Sequence, residues 1–245
     1  MESESTMETH DPFAANYPAP TAARPLLGLT VLVVEDSRYA CEAMRLLCLR
    51  SGARIRRADC IRSARRHLQV YRPTVVVVDM GLPDGNGADL IAELAQVDVD
   101  KSVILATSGD DALEGEAMAA GAQGFLGKPI TSLAVFQQLV LAALPADRQP
   151  SGLRAIVDEQ VSPDEIAYHD DINYAAELLD DSPNGPALDY IAQFLEGVAR
   201  SVEDARMEDA ARALSDRRAL GETAVSEAAR ISGLIQQRLA TKIAI

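Results

Sequence analysis

The sequence predicts a doubly wound α/β domain on a five-stranded parallel sheet, followed by a separate all-helical module. Three observations predict it. Between residues 26 and 145, five short β-forming runs alternate with five segments of helical periodicity. The runs beginning near residues 31, 75 and 103 are apolar throughout, as strands covered on both faces of a parallel sheet are. After "PADRQPSG" (Pro145–Gly152), a break rich in Pro and Gly, no strand signal appears.

The elements follow in order. "LTVLVV" (Leu29–Val34) is a β-branched run, and Ser37 to Arg50 places apolar residues at helical spacing. "ARIRRA" (Ala53–Ala58) alternates as a strand, and "IRSARRHLQVY" is helical, with Asp59 placed to cap it. "TVVVVD" (Thr74–Asp79) is a strand and "GADLIAELAQV" a helix. "SVILAT" (Ser102–Thr107) is a strand, and "ALEGEAMAAG" a helix ended by Gly121. "GFLGK" supplies the fifth strand and "SLAVFQQLVLAAL" the fifth helix. Beyond the break, residues 163–181, 186–214 and 216–243 read as helices. The expected organisation is a disordered tail (1–25), the α/β domain (26–145), a linker (146–162) and an acidic all-helical module (163–245).

Composition narrows the function. Apolar residues form 48% of the chain and aromatic ones only 4%, with no Trp, so the cores are built from Val, Leu, Ile and Ala. The net charge is −14, and in residues 151–245 acidic residues outnumber basic ones two to one. That balance opposes phosphate-backbone binding, and nucleic acid is not an expected partner. No apolar run has the length of a membrane span, and "MESESTMETHDPF" lacks the basic-then-apolar order of a secretion signal. A cytoplasmic protein with no membrane contact is expected. Cys41, Cys48 and Cys60 show no metal-ligand spacing and read as buried free thiols. Arg54, Arg56, Arg57, Arg62, Arg65 and Arg66 read as a solvated face; a dock for the acidic tail or an acidic partner is the other use open to them.

In an open parallel sheet, functional groups gather beyond the carboxyl ends of the strands. Here the first strand ends on Glu35 and Asp36, the third on Asp79, the fourth on Thr107, and the fifth runs into Lys128. Three carboxylates at one edge repel each other, and a divalent cation relieves that; acidic oxygen ligands suit Mg²⁺. A lysine and a hydroxyl beside them can hold phosphoryl oxygens, and phosphoryl transfer needs mainly positioning and charge neutralisation.

At this point the chain resembles a known family. "VVEDS" (with Glu35 and Asp36), "VVVVDMGLPDGNG" (with Asp79), "LATSG" (with Thr107) and "FLGKPI" (with Lys128) resemble, in order and spacing, the receiver domain of two-component response regulators over residues 29–144. The resemblance implies a flavodoxin-like receiver in which Asp79 is the phosphoacceptor, taking its phosphoryl group from a phosphohistidine. It implies Mg²⁺ bound by Glu35, Asp36, Asp79 and the carbonyl of Gly81, with Thr107 and Lys128 on the phosphoryl oxygens. It makes Thr107 and Phe125 the switch pair, and a histidine kinase or histidine phosphotransferase the partner. No enzymatic activity is implied beyond self-catalysed phosphoryl acceptance and autodephosphorylation. Gly81 and Gly109, two residues past Asp79 and Thr107, put no side chain over the site, so solvent is expected to reach the acyl phosphate readily.

For the helical module the expected role is protein contact, through a downstream partner or a homodimer. In "YHDDINYAAELLDD" (Tyr168–Asp181), Tyr168, Ile172, Ala175 and Leu179 share one helical face. His169, Asp170 and Asn173 are similar to the H-[ED]-x-x-[NT] motif of histidine-kinase dimerisation helices, which makes His169 a second candidate phosphosite. The last helix carries Val225, Ala228, Ile231, Ile235, Leu239 and Ile243 on an apolar strip that should pack on the preceding helices or on a second subunit. A helix-turn-helix cadence around Gly221 keeps a DNA-binding regulator as a further alternative.

Overall fold

A computed structural model describes residues 19–96, 102–151, 159–181 and 186–241. Most of the expected disordered tail (1–18), the linker stretch 152–158 and Ile243 lie outside the described residues. The α/β domain runs β1 (Thr30–Val34), α1 (Arg38–Ser51), β2 (Arg54–Ala58), α2 (Ile61–Val70), β3 (Val75–Asp79), α3 (Gly87–Ala95), β6 (Val103–Ser108), α4 (Glu114–Ala120), β7 (Phe125–Gly127) and α5 (Leu133–Ala143). Between β3 and α3 lies a two-residue hairpin, β4 (Gly81–Leu82) with β5 (Gly85–Asn86). The main sheet is parallel throughout, in the order β2-β1-β3-β6-β7.

Strand alternation divides the core. Val31, Val33, Val75, Val77, Val103 and Leu105 face α1 and α5, where they bury Leu47 and Phe136. Leu32, Val34, Val76, Val78, Ile104 and Ala106 face α2, α3 and α4, where they bury Ile61, Leu90, Ile91 and Ala117. Apolar residues at every strand position are therefore the mark of a sheet with two covered faces. The edge strand β2 is the exception: its three arginines are exposed, and charge there discourages pairing with another chain.

Helix starts are set by side chains. Ser37, Asn86 and Ser132 cap α1, α3 and α5. For α2 the expected cap, Asp59, is not used. Asp84, in the hairpin after β3, accepts from the N–H groups of Ile61 (2.8 Å) and Arg62 (2.9 Å) instead. The thiols also divide: Cys41 and Cys48 are buried as expected, whereas Cys60 is half-buried.

After α5 the chain doubles back. Leu133 N–H donates to Glu159 (2.8 Å) and Val161 N–H to Thr131 (2.8 Å), and Val161 joins the α1–α5 core. The helical module follows as α6 (Glu165–Asp181), α7 (Pro186–Ser201), α8 (Ala205–Ala219) and α9 (Val225–Ala240). Each helix packs on its chain neighbours and α9 returns to α6, which closes a four-helix bundle.

Three helices were expected here, and four are present among the described residues. The stretch 186–214 breaks after α7, where Glu203 adopts a left-handed φ of 59° and Asp204 caps α8 through the N–H of Met207 (3.2 Å). The stretch 216–243 breaks at the turn holding Gly221 (φ 71°). Apolar periodicity runs through both short turns because the residues on either side bury in the same core.

Asp204 also ties the bundle together. It takes two hydrogen bonds from Arg238 of α9 (2.6 and 2.8 Å) and one from Tyr168 of α6 (3.1 Å). The α6 face of Tyr168, Ile172, Ala175 and Leu179 points into this core, as do Ile231 and Ile235 of α9. Val225, placed on the apolar strip by its spacing, is 76% exposed because it opens α9 at the bundle's end. Among the described residues no helix is long and apolar enough to cross a membrane.

Candidate functional site

Parallel pairing sets the strand ends side by side. Asp79 at the end of β3 is paired with Thr107 of β6, and Thr107 with Leu126 of β7. Lys128 follows β7, its N–H bonded to the carbonyl of Ser108 (2.8 Å), and its bond to Pro129 is cis. Gly87 lets α3 begin directly against this edge: a Cβ there would collide with the carbonyl oxygen of Asp79.

The expected acidic residues meet. Carboxylate oxygens of Glu35, Asp36 and Asp79 all lie within 4.8 Å of one another. Lys128 Nζ bridges two of them, 2.8 Å from Glu35 Oε2 and 3.1 Å from Asp79 Oδ2. These side chains are buried: Asp79 is 8% exposed and Glu35 1%.

Electrostatics follow from that burial. Desolvation, then the charge of Asp79, holds the Glu35 carboxyl well above its ordinary value. The same two causes push Asp36 up to about 7. Burial works against the charge of Lys128, but Asp79 and Glu35 outweigh it and raise its pKa. Three carboxylates against one ammonium leave the edge short of positive charge, and only hard oxygen donors face one another. Their spacing is close to the ~4 Å span of ligand oxygens around Mg²⁺. The residues present fit that ion.

Thr107 Oγ1 donates to the carbonyl of Leu126 (2.8 Å). Phe125 is half-buried and packs on the core between the sheet and α2–α4. Gly81 lines the cavity beside Asp79.

The expectation of an open site over Gly81 and Gly109 is corrected by α7, which lies across it. A Cβ on Gly81 would stand 2.5 Å from Gln193 Nε2, and one on Gly109 would stand 3.2 Å from Arg200 Nη1. The remaining cavity, about 40 Å³, is lined by Asp79, Lys128 and Gly81 from below and by Gln193, Gly197 and Arg200 from above.

Besides the α7 residues that roof the site, two residues bonded to its first loop escaped the sequence reading. The Tyr190 hydroxyl donates to Asp36 Oδ2. Asp171, 1% exposed, accepts from Ser37 Oγ (2.7 Å) and from the N–H groups of Arg38 (2.7 Å) and Tyr39 (3.0 Å) at the start of α1. Neither has a local signal, since each partner lies more than 130 residues away. His169 is half-buried, edge-on to Tyr168, with ring centroids 6.5 Å apart. Its neighbour Asp170 is paired with Arg38 (2.8 Å). The six arginines of β2 and α2 are exposed, as a solvated face requires.

Part of the chain is similar to known proteins. Residues 31–140 match the family model described as the response regulator receiver domain. The chain is 28% identical over 99 residues to the KDP operon transcriptional regulatory protein KdpE of Escherichia coli (strain K12), covering 40% of this chain and 44% of that protein. It is 28% identical over 115 residues to the chemotaxis protein CheY of Thermotoga maritima, covering 46% of this chain and 96% of that protein. Among solved structures, a putative response regulator from Chloroflexus aurantiacus J-10-fl aligns with a TM-score of 0.41 at 28% identity, over 46% of this chain and 91% of that one. The match thus spans less than half of KdpE, and the family model ends before α6.

Proposed function

Residues 31–140 being a response regulator receiver domain, we propose that the chain is a two-component response regulator whose Asp79 accepts a phosphoryl group from a phosphohistidine. The observation that carries this reading is the setting of Asp79: a buried carboxylate at the sheet edge, 3.1 Å from Lys128 and beside two further carboxylates. The phosphodonor is a histidine kinase or a histidine phosphotransferase. An Asp79 oxygen attacks phosphorus, the P–N bond breaks, and the imidazole leaves with its electron pair and takes a proton from solvent.

Glu35, Asp36, Asp79 and the Gly81 carbonyl would hold Mg²⁺, which supplies neutralising charge to the phosphoryl oxygens. Lys128, already on the Asp79 carboxylate, shifts to one of those oxygens. Thr107 exchanges the Leu126 carbonyl for another, and Phe125, half-buried now, follows into the space it leaves. The charge gained at one carboxylate becomes a repacking of the face around β7. Beyond accepting and losing its own phosphoryl group, the protein carries out no reaction.

The helical module acts through protein contacts. Its arginines are largely engaged by its own acids: Arg200 and Arg212 with Glu196 and Glu208, Arg217 with Glu222, Arg218 with Asp189, Arg238 with Asp204. That favours a protein partner over DNA, the ligand class that KdpE's description as a transcriptional regulator raises. Phosphotransfer through His169 is the second reading, but the pairing of Asp170 with Arg38 occupies the carboxylate it requires.

Phosphotransfer from a cognate kinase to the wild type, to Asp79→Asn and to His169→Ala tests these readings together. The wild type and His169→Ala should gain labelled phosphate and Asp79→Asn should not. Label retained by Asp79→Asn refutes the assignment.

A further inference from the structure

Helix α7 crosses the mouth of the phosphorylation site and takes up its space. Tyr190 bonds Asp36, one of the carboxylates assigned to the cation. The Gln193 amide lies over Gly81. Gly197 passes so close to Gly109 that a Cβ on Gly109 would lie 3.3 Å from the Gly197 Cα. The partly open space of about 40 Å³ left beneath α7 has room for a few waters, each needing ~10–15 Å³ of such space. It does not admit a histidine side chain carried by a donor protein.

The contact is built rather than incidental. Tyr190 is braced by Phe194, with ring centroids 6.0 Å apart, and Phe194 stands edge-on to Tyr174 at 5.4 Å. Next to α7, helix α6 is anchored through Asp171 on Ser37, Arg38 and Tyr39, and through Asp170 on Arg38. Those three anchor residues directly follow Asp36, so the loop that presents Glu35 and Asp36 to the cation also carries the module's mooring.

We propose that docking of α6–α7 and loading of the phosphorylation site exclude each other. The helical module is a lid on Asp79, Tyr190 competes with the divalent cation for Asp36, and phosphorylation releases α7. The idea rests on the receiver reading of the site. A phosphoryl group on Asp79 enters the cavity that Gln193, Gly197 and Arg200 roof over. An Asp36 oxygen holding the tyrosine hydroxyl is not free to bind a cation. Coupling of this kind is reciprocal: the factor by which the lid weakens cation binding is the factor by which the cation loosens the lid.

The test uses the full chain and two measurements. Calorimetric titration with Mg²⁺ alone compares the wild type with Tyr190→Phe. Removing one hydrogen bond to a carboxylate should tighten Mg²⁺ binding about tenfold. Hydrogen exchange then compares the wild type with and without Mg²⁺ and beryllofluoride, a phosphoryl mimic. Exchange at residues 36–41 and 186–201 should speed up when the mimic is bound. Should Tyr190→Phe fail to fold, Asp171→Asn takes its place with the same expected direction. Equal Mg²⁺ affinities, or exchange unchanged at saturating mimic, overturn the lid. Absence of any Mg²⁺ or beryllofluoride binding in both proteins sinks the receiver reading itself, and the lid with it.

Discussion

Replacing Asp171 with alanine removes a buried carboxylate that accepts three hydrogen bonds from the first turn of α1. Hydrogen bonds to charged groups contribute about 1.5–3 kcal/mol each, and a helix cap about 1 kcal/mol. The three do not add, because Ser37 still caps α1 through the Ala40 N–H (3.0 Å) and the freed donors regain water once the helices part. Burial also opposes the charge: it raises the Asp171 pKa in spite of the bonds from Ser37, Tyr39 and Arg38. A net loss of about 2–4 kcal/mol is expected for Asp171→Ala. Asp171→Asn should lose less, since the amide keeps one acceptor and carries no charge to desolvate. Urea unfolding followed by circular dichroism is the assay. The wild type should unfold with the two domains coupled, and Asp171→Ala should separate the transitions. A loss below about 0.5 kcal/mol with one unchanged transition would refute the view that this carboxylate joins the domains.

Three further outcomes are expected. Gly109→Val should push α7 outward, because its Cβ meets the Gly197 backbone, whereas Gly81→Asn meets only the movable end of Gln193; a spin-label distance between the receiver and α7 should lengthen in the first variant more than in the second. Arg238→Met should cost the helical module about 1–2 kcal/mol at neutral pH. The Arg238 guanidinium holds the Asp204 carboxyl below its ordinary value of 3.8, so this contribution is present above that pH and is lost as pH falls through the lowered value. Melts at pH 7 and pH 3 should show the difference shrinking on acidification. Phe136→Ala empties a fully buried position between α5 and the sheet and should cost about 3–5 kcal/mol, measured by urea unfolding of the receiver.

The sheet and its acidic edge were legible because their signals are local. Runs such as Val75–Asp79 carry both the strand and its functional end, and parallel topology brings the ends of separate strands together. What escaped depends on contacts between distant segments. Asp59 has the right spacing to cap α2, yet Asp84 arrives from the next hairpin and does so. The break at Glu203 hides within continuous apolar periodicity. Gly81 and Gly109 read as open positions because the absence of a side chain looks the same whether water or another helix fills the space.

The return of the chain onto Thr131–Leu133 shortens the leash of the helical bundle. With Val161 clipped into the receiver core, only Ser162–Asp164 separate that clip from α6. A bundle that lets go therefore stays nearby at an effective concentration on the order of millimolar. Re-closure is a fast unimolecular event, and a competing protein must outbid that local concentration, so the clip sets the affinity threshold for whatever the opened bundle captures.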